Sequence, residues 1–197
     1  MMQTMNKINM KIIKYILNSE KQTREVAKKF SKAISLPLIV GLKGDLGVGK
    51  TAFIRSFIKL YNKDEKVKSP TFSIVEEYIY DKISIIHADL YRIKKNEKYY
   101  LNLEDYQSKN SLILIEWINN DQKFMAHSDI IIDINILDKK DQREIIFCAL
   151  SKEGEKTILT HSVGLKNISE LLFEGIRNLE YRGYDSAGLA VFGDDQN

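Results

Sequence analysis

Apolar positions along this chain follow two rhythms, and the rhythms alternate. "KIIKYIL" near the start reads as a short strand. Ser19 followed by Gln22 then fits a capping box, and Val26, Ala27, Phe30, Ala33 and Ile34 recur at helical spacing until Pro37 ends the helix. "LIVGL" is short and wholly apolar, which predicts a buried strand, and a helix is expected from Lys50 to about Leu60. "SPTFSIVEEYIY" reads as a strand closed by Asp81 and Lys82 into a hairpin with "ISIIH". "YYLNLEDY" predicts a short helix, and "SLILIEW" a buried strand ending in an acid. "DIIIDINIL" and "REIIFCAL", joined by the turn-like "DKKDQ", predict a second hairpin. Strands and helices alternate early and antiparallel pairs dominate later. The expectation is an α/β fold, a mixed sheet flanked by helices.

The polar, Gly-containing "SKEGEK" at 151–156 suggests a boundary, with a main domain at 1–152 and an appended segment at 153–197 too short for an easy core of its own. With 197 residues, 44% of them hydrophobic, the chain can bury one real core. Its 30 basic and 27 acidic residues nearly balance, so net charge alone does not imply nucleic-acid binding. The basic stretches "KDEKVK" and "RIKKNEK" could touch RNA, but a solvated surface is the plainer reading. A single cysteine, Cys148 in the apolar "EIIFCAL", excludes a disulfide framework and a multi-cysteine metal site and is expected to be a buried thiol. No apolar run is long enough for a membrane span, and the start of the chain lacks a signal-peptide pattern, so a cytoplasmic location is expected.

The chemistry concentrates at "GDLGVGKTAF". Gly44, Gly49, Lys50 and Thr51 complete G-x-x-x-x-G-K-T, with an apolar strand before it and a helix after. Such a loop turns successive backbone N–H groups, including those of Asp45, Leu46, Gly47 and Val48, around a phosphate. Lys50 can reach the β- and γ-phosphates, the Thr51 hydroxyl can ligate Mg²⁺, and the helix N-terminus adds partial positive charge. The site also needs an acid, and Glu116 ends the apolar "LILIEW". It could hold the metal through water or act as base toward attacking water. Asp89, after "ISIIH", could lie near the metal or merely cap a helix. Thr71, in "SPTF", is placed like a γ-phosphate-sensing threonine or a simple turn residue. His87 fits a packed strand residue better than a metal ligand, and Trp117 is either core or a nucleotide flank.

"GDLGVGKTAFIR", "SPTFSIVEEY", "HADLYRI" and "LILIEW", in this order and spacing, closely resemble the TsaE (YjeE) family of small bacterial P-loop ATPases of tRNA threonylcarbamoyladenosine synthesis, over roughly Lys11 to Leu150. The resemblance implies ATP and Mg²⁺ as ligands, with Lys50 on phosphate and Thr51 on the metal. It makes Thr71 the switch threonine, Asp89 the hydrolysis-linked aspartate of D-x-Y-R together with Tyr91 and Arg92, and Glu116 and Trp117 the E-W pair with the glutamate at the metal. Thr23 matches a threonine near the nucleotide, and Ile118 stands where the family often has proline. The implied partner is the TsaB–TsaD transferase pair, with tRNA reached through that complex. On this reading the chain supports the transfer by binding and hydrolysing ATP and does not perform it.

Two other readings fit the loop. A small-molecule kinase would share it, but the few arginines before the tail (Arg24, Arg55, Arg92 and Arg143) make a poor lid. A non-catalytic nucleotide-gated module is the other, prompted by the tail. There "LEYRGYDSAG" resembles part of the glutaminase domain of glucosamine–fructose-6-phosphate aminotransferase. That class uses an N-terminal cysteine whose free amine activates the thiol. None lies near this segment, so glutaminase activity is not expected. Leu171, Leu172, Ile176 and Leu179 would give the segment one apolar helical face.

Overall fold

The alternating pattern builds one seven-stranded mixed sheet. The computed structural model describes residues 11–93, 103–137 and 142–162. The strands are β1 (Ile12–Leu17), β2 (Leu38–Lys43), β3 (Val75–Tyr80), β4 (Ile83–Asp89), β5 (Ser111–Glu116), β6 (Ile130–Ile136) and β7 (Arg143–Ala149). The helices are α1 (Glu20–Ala33), α2 (Lys50–Ile58), α3 (Gln122–Ala126) and α4 (Lys152–Ser162). The sheet order is β1-β7-β6-β2-β5-β4-β3. β6, β2, β5 and β4 run parallel, while β1, β7 and β3 are antiparallel to their neighbours.

The central strands β2 and β5 are buried almost throughout, as their unbroken apolar runs require. One large core fills the side covered by α1, α2 and α4. Phe30, Phe53, Phe57 and Phe147 lie fully buried there, with ring centroids 5.3–6.2 Å apart in tilted and edge-on pairs. Each such ring stabilises the fold by about 2–3 kcal/mol through burial. A smaller core with Ile86, Ile113, Ile118 and Phe124 covers the other face.

Several sequence expectations shift. α2 ends at Ile58, short of Leu60. "SPTFSIVEEYIY" is strand only from Val75; Thr71–Ser73 form a turn, because Ser69 and Thr71 spend their hydroxyls on Asp89. The "YYLNLEDY" helix reduces among the described residues to a 3-10 turn, Leu103–Tyr106. Cys148 is half-buried, with burial raising its thiol pKa. The "DKKDQ" turn, the basic stretch from Lys94 and the glutaminase-like tail fall largely or wholly outside the described residues.

The boundary expected after Lys152 coincides with the start of α4, and α4 packs into the main core. The compact unit runs to Gly164. Ser151 caps the helix: its Oγ accepts from the Gly154 N–H and its carbonyl from the Glu155 N–H. A Cβ at Gly154 would sit 2.1 Å from the Asp129 carbonyl oxygen, so only glycine lets the helix approach this closely. Ile158, Thr157 and His161 are buried. The His161 ring meets Tyr15, Phe30 and Phe147, and its Nε2 lies 2.8 Å from the Tyr15 hydroxyl.

A chain ending at Ser151 is therefore expected to lose at least about 3 kcal/mol against one ending at Gly164, read by urea unfolding; equal midpoints would show that α4 adds nothing. Burial also pulls the His161 pKa down from 6.5 to about 4. The neutral ring is the native form, while the unfolded chain protonates near 6.5. Its stability contribution is thus complete above pH 6.5 and falls by up to about 3 kcal/mol as pH drops toward 4. His161→Phe should flatten that acid slope in urea midpoints compared at pH 7 and 4.5.

Candidate nucleotide site

The parallel strands deliver the site residues to one edge of the sheet. Register sets Leu42, Glu116 and Asp89 side by side at the carboxyl ends of β2, β5 and β4. β2 continues there into the glycine loop, which turns directly into α2. Gly44 has φ 131°, and a Cβ on it would lie 2.2 Å from the Ile134 carbonyl oxygen, so the loop starts pressed onto β6. Gly49, with φ 112°, is the α2 N-cap and offers no capping side chain, leaving the first-turn N–H groups facing the loop. Arg143 Nε donates to the Val48 carbonyl at 3.0 Å and braces the loop from β7.

Lys50 is only 4% exposed. Its ammonium donates to the Gly44 and Asp45 carbonyls at 2.7 and 2.8 Å and sits 3.7 Å from the centre of a Trp117 ring. Burial lowers its pKa, and the negative charges of Glu116, Asp89 and Asp45 oppose that shift. The cation is thus held inside the loop, where a phosphate would compete with the two carbonyls for it.

Glu116 is 2% exposed. The Thr51 hydroxyl donates to both its oxygens, at 2.8 and 2.9 Å, and His87 Nε2 stands 2.8 Å from Oε1. A carboxylate accepts, so Nε2 carries the proton. His87 Nδ1 is then the bare nitrogen, consistent with its being buried without a hydrogen-bond partner. His87 is the fully buried strand residue expected, and it also orients the acid, a role its sequence position did not disclose.

Asp89 anchors the turn after α2. Its Oδ2 accepts from the hydroxyls of Ser69 and Thr71, the latter at 3.1 Å, and its Oδ1 accepts from the Tyr91 N–H at 2.8 Å. Its own N–H donates to the Ile74 carbonyl. Ile74 has φ 66° and Trp117 φ 59°, both in the left-handed region. For a β-branched residue this costs on the order of 1–3 kcal/mol, and such strain gathers at functional sites. Tyr91 packs on Trp117 with ring centroids 4.9 Å apart. Trp117 is half-buried, both packed on the smaller core and placed against Lys50.

Lys50, Thr51, Thr71, Asp89, Glu116 and Trp117 thus converge on one sheet edge. Asp45, Leu46 and Gly47 line the exposed rim of the loop. Thr23 lies on the buried face of α1, and its side chain forms no hydrogen bond with the loop. Ser69, His87 and Arg143 join the arrangement without having been assigned to it from sequence. Only Ser69 had a local signal, its place in "SPT".

A strand-to-helix glycine loop ending in Lys-Thr, with an acid at the end of the neighbouring parallel strand, defines a P-loop NTPase-like protein. The family model described as "Threonylcarbamoyl adenosine biosynthesis protein TsaE" matches residues 17–145. The TsaE proteins of Rickettsia typhi and Bacillus subtilis are 38% and 30% identical to the chain; the matches cover 71% and 74% of it and 95% and 91% of those proteins. The crystal structure of Bacillus subtilis YdiB superposes with a TM-score of 0.65 at 26% identity, over 79% of this chain and 97% of that one. The chain belongs to the TsaE family.

His87→Leu strips the buried Glu116 carboxylate of a donor and should cost about 1–3 kcal/mol of stability. With Glu116→Gln already present the same change should cost clearly less. A urea double-mutant cycle is expected to give a coupling of about 1–3 kcal/mol, whereas additive effects would show the contact to be energetically idle.

Proposed function

We propose that the chain binds ATP with Mg²⁺, hydrolyses it, and serves as the accessory ATPase in forming threonylcarbamoyladenosine in tRNA, working with a TsaB–TsaD transferase pair. One observation carries the catalytic part: the Thr51 hydroxyl rests on the buried Glu116 carboxylate immediately after the glycine loop. These are hard oxygen donors of the kind Mg²⁺ takes. Among the described residues no cluster of three His, Cys, Asp or Glu could hold a metal. That fits an ion held by one carboxylate, one hydroxyl, water and substrate phosphates rather than by a protein cage.

When bound, Mg²⁺ neutralises charge on the phosphoryl oxygens. The chain's own residues do the rest. Lys50 exchanges the Gly44 and Asp45 carbonyls for phosphate oxygens, keeping its charge where the transferred group becomes more anionic. Glu116 is the metal-side acid, fixed in direction by His87. Asp89 is the water-side acid and holds the Ser69–Ile74 turn, so that Thr71 can report the γ-phosphate to the loop. The ATPase unit includes α4, and the glutaminase-like segment after it takes no part in the chemistry. The family's printed role in threonylcarbamoyladenosine biosynthesis supports the tRNA assignment. Among the described residues no helix is long and apolar enough to cross a membrane.

Reconstitution with TsaB, TsaC, TsaD, tRNA, threonine, bicarbonate and ATP tests this. Multi-turnover modification should depend on the chain, and phosphoryl transfer to a metabolite in place of water would overturn the reading. Thr51→Ala and Glu116→Gln should each lower ATP turnover by at least about 100-fold. Asp89→Asn should lower turnover comparably while leaving ATP affinity within a few-fold, a kcat effect rather than a binding one.

A further inference from the structure

A cleft of about 440 Å³ lies beside the end of α2, lined by residues of the helix end and of the segment that follows it. Its walls carry Arg55, Lys59, Lys63, Lys66 and Lys68, five cations against two carboxylates. Glu65 is already engaged, since its Oε2 accepts from the Tyr80 hydroxyl and the Asn62 amide, each at 3.1 Å. Arg55 is committed as well: its Nε donates to the Val67 carbonyl at 3.1 Å and fixes the back of the cleft. The four lysines differ. All are exposed, and none forms an ion pair with a described residue. Ammonium groups gathered at one mouth repel each other unless an anion lies between them.

We propose that this cleft docks the phosphodiester backbone of tRNA directly, a proposal that rests on the tRNA-modification reading above. The cleft is open, and its lysines are point charges on flexible stems, which suits repeating phosphates rather than one small, fully enclosed anion. Its only apolar lining residue is Val67, so it lacks the buried aromatic anchor that a protein partner would seek. Tyr61, between Lys59 and Lys63 in the chain, is 39% exposed and stacked on Tyr80 at 5.5 Å, an aromatic ring close in sequence to the cleft's lysines though outside its lining. The cleft wall continues in the chain to Ser69 and Thr71, whose hydroxyls hold Asp89. Backbone docking would therefore occur next to the turn that responds to nucleotide.

Fluorescence anisotropy of a labelled tRNA transcript, titrated with the full chain between about 50 and 200 mM salt, tests this. Each phosphate contact contributes roughly 0.7–0.9 to the slope of log affinity against log salt. The triple variant Lys59→Gln, Lys63→Gln, Lys66→Gln should therefore bind at least about 10-fold more weakly at low salt, with the slope reduced by roughly 2. Its melting curve and RNA-free ATP turnover should match those of the unaltered chain. Equal affinity and slope in the two proteins would overturn the proposal. So would tighter binding of inorganic tripolyphosphate than of tRNA, or loss of TsaB–TsaD binding with tRNA affinity intact, which would give the cleft to an acidic protein. Absent tRNA binding alongside a reconstitution that still depends on the chain would sink the docking alone. Intact binding with no such dependence would instead remove the functional reading on which the proposal rests.

Discussion

A buried carboxylate organises this molecule. Glu116 ends the central strand β5 at 2% exposure, and an ionised group removed from water is tolerable only with donors in place. Thr51 from α2 and His87 from β4 supply them. Meeting that requirement fixes much else. α2 must start at the carboxyl edge of β2, which places the glycine loop beside β5. The β4–β5 register must bring His87 and Asp89 to the same edge. The chain must then leave β5 sharply, which it does through the left-handed Trp117 and the 3-10 turn Ile118–Asn120.

The contacts of Asp89 are of another kind. Where Glu116 is held by groups on regular elements, Asp89 is bonded to irregular segments: the Ser69 and Thr71 hydroxyls and the Ile74 carbonyl of the turn before β3, and the Tyr91 N–H just after β4. That turn carries Ile74 at φ 66°, a conformation it keeps only while these bonds compensate the strain. The two acids thus divide the site into a rigid half, made of strand and helix ends, and a half whose shape depends on a handful of hydroxyl bonds. A ligand that draws Thr71 from Asp89 would break one of these few bonds.

How far the sequence disclosed this follows from the range of each signal. Local signals were faithful. The Ser19 cap, the helical spacing through Phe30 and the apolar runs of β2, β5 and β6 each appear where expected. Gly44 to Thr51 were legible because strand, loop and helix are contiguous. His87 and Arg143 were not legible as site residues, because their partners lie across the sheet and only strand order brings them together. "SPTF" misread as strand for a related reason: its β-like residues are overridden by hydroxyl bonds to a residue on another strand. α4 was hidden because its polar, glycine-containing start is the pattern of a linker. The same Gly154 is required by a tight approach to Asp129 that no local rule reveals.

That approach belongs to the opposite edge of the sheet. Asp129 accepts from the Ile39 N–H through Oδ2 and from the Ser151 hydroxyl through Oδ1; its backbone N–H donates to the Ile39 carbonyl and its carbonyl accepts from the Leu150 N–H. One aspartate therefore joins the start of β2, the end of β7 and the cap of α4, at the amino ends of the parallel strands. Glu116 and Asp89 stand at the other end, the carboxyl ends of β5 and β4. The separation has a physical consequence. The bonds of Asp129 hold the far end of β2, away from the glycine loop at its other end, so a ligand at the loop would leave them untouched. Loss of α4 would then reach the Glu116 edge not through any contact with it but by loosening β2, the strand from which the glycine loop springs.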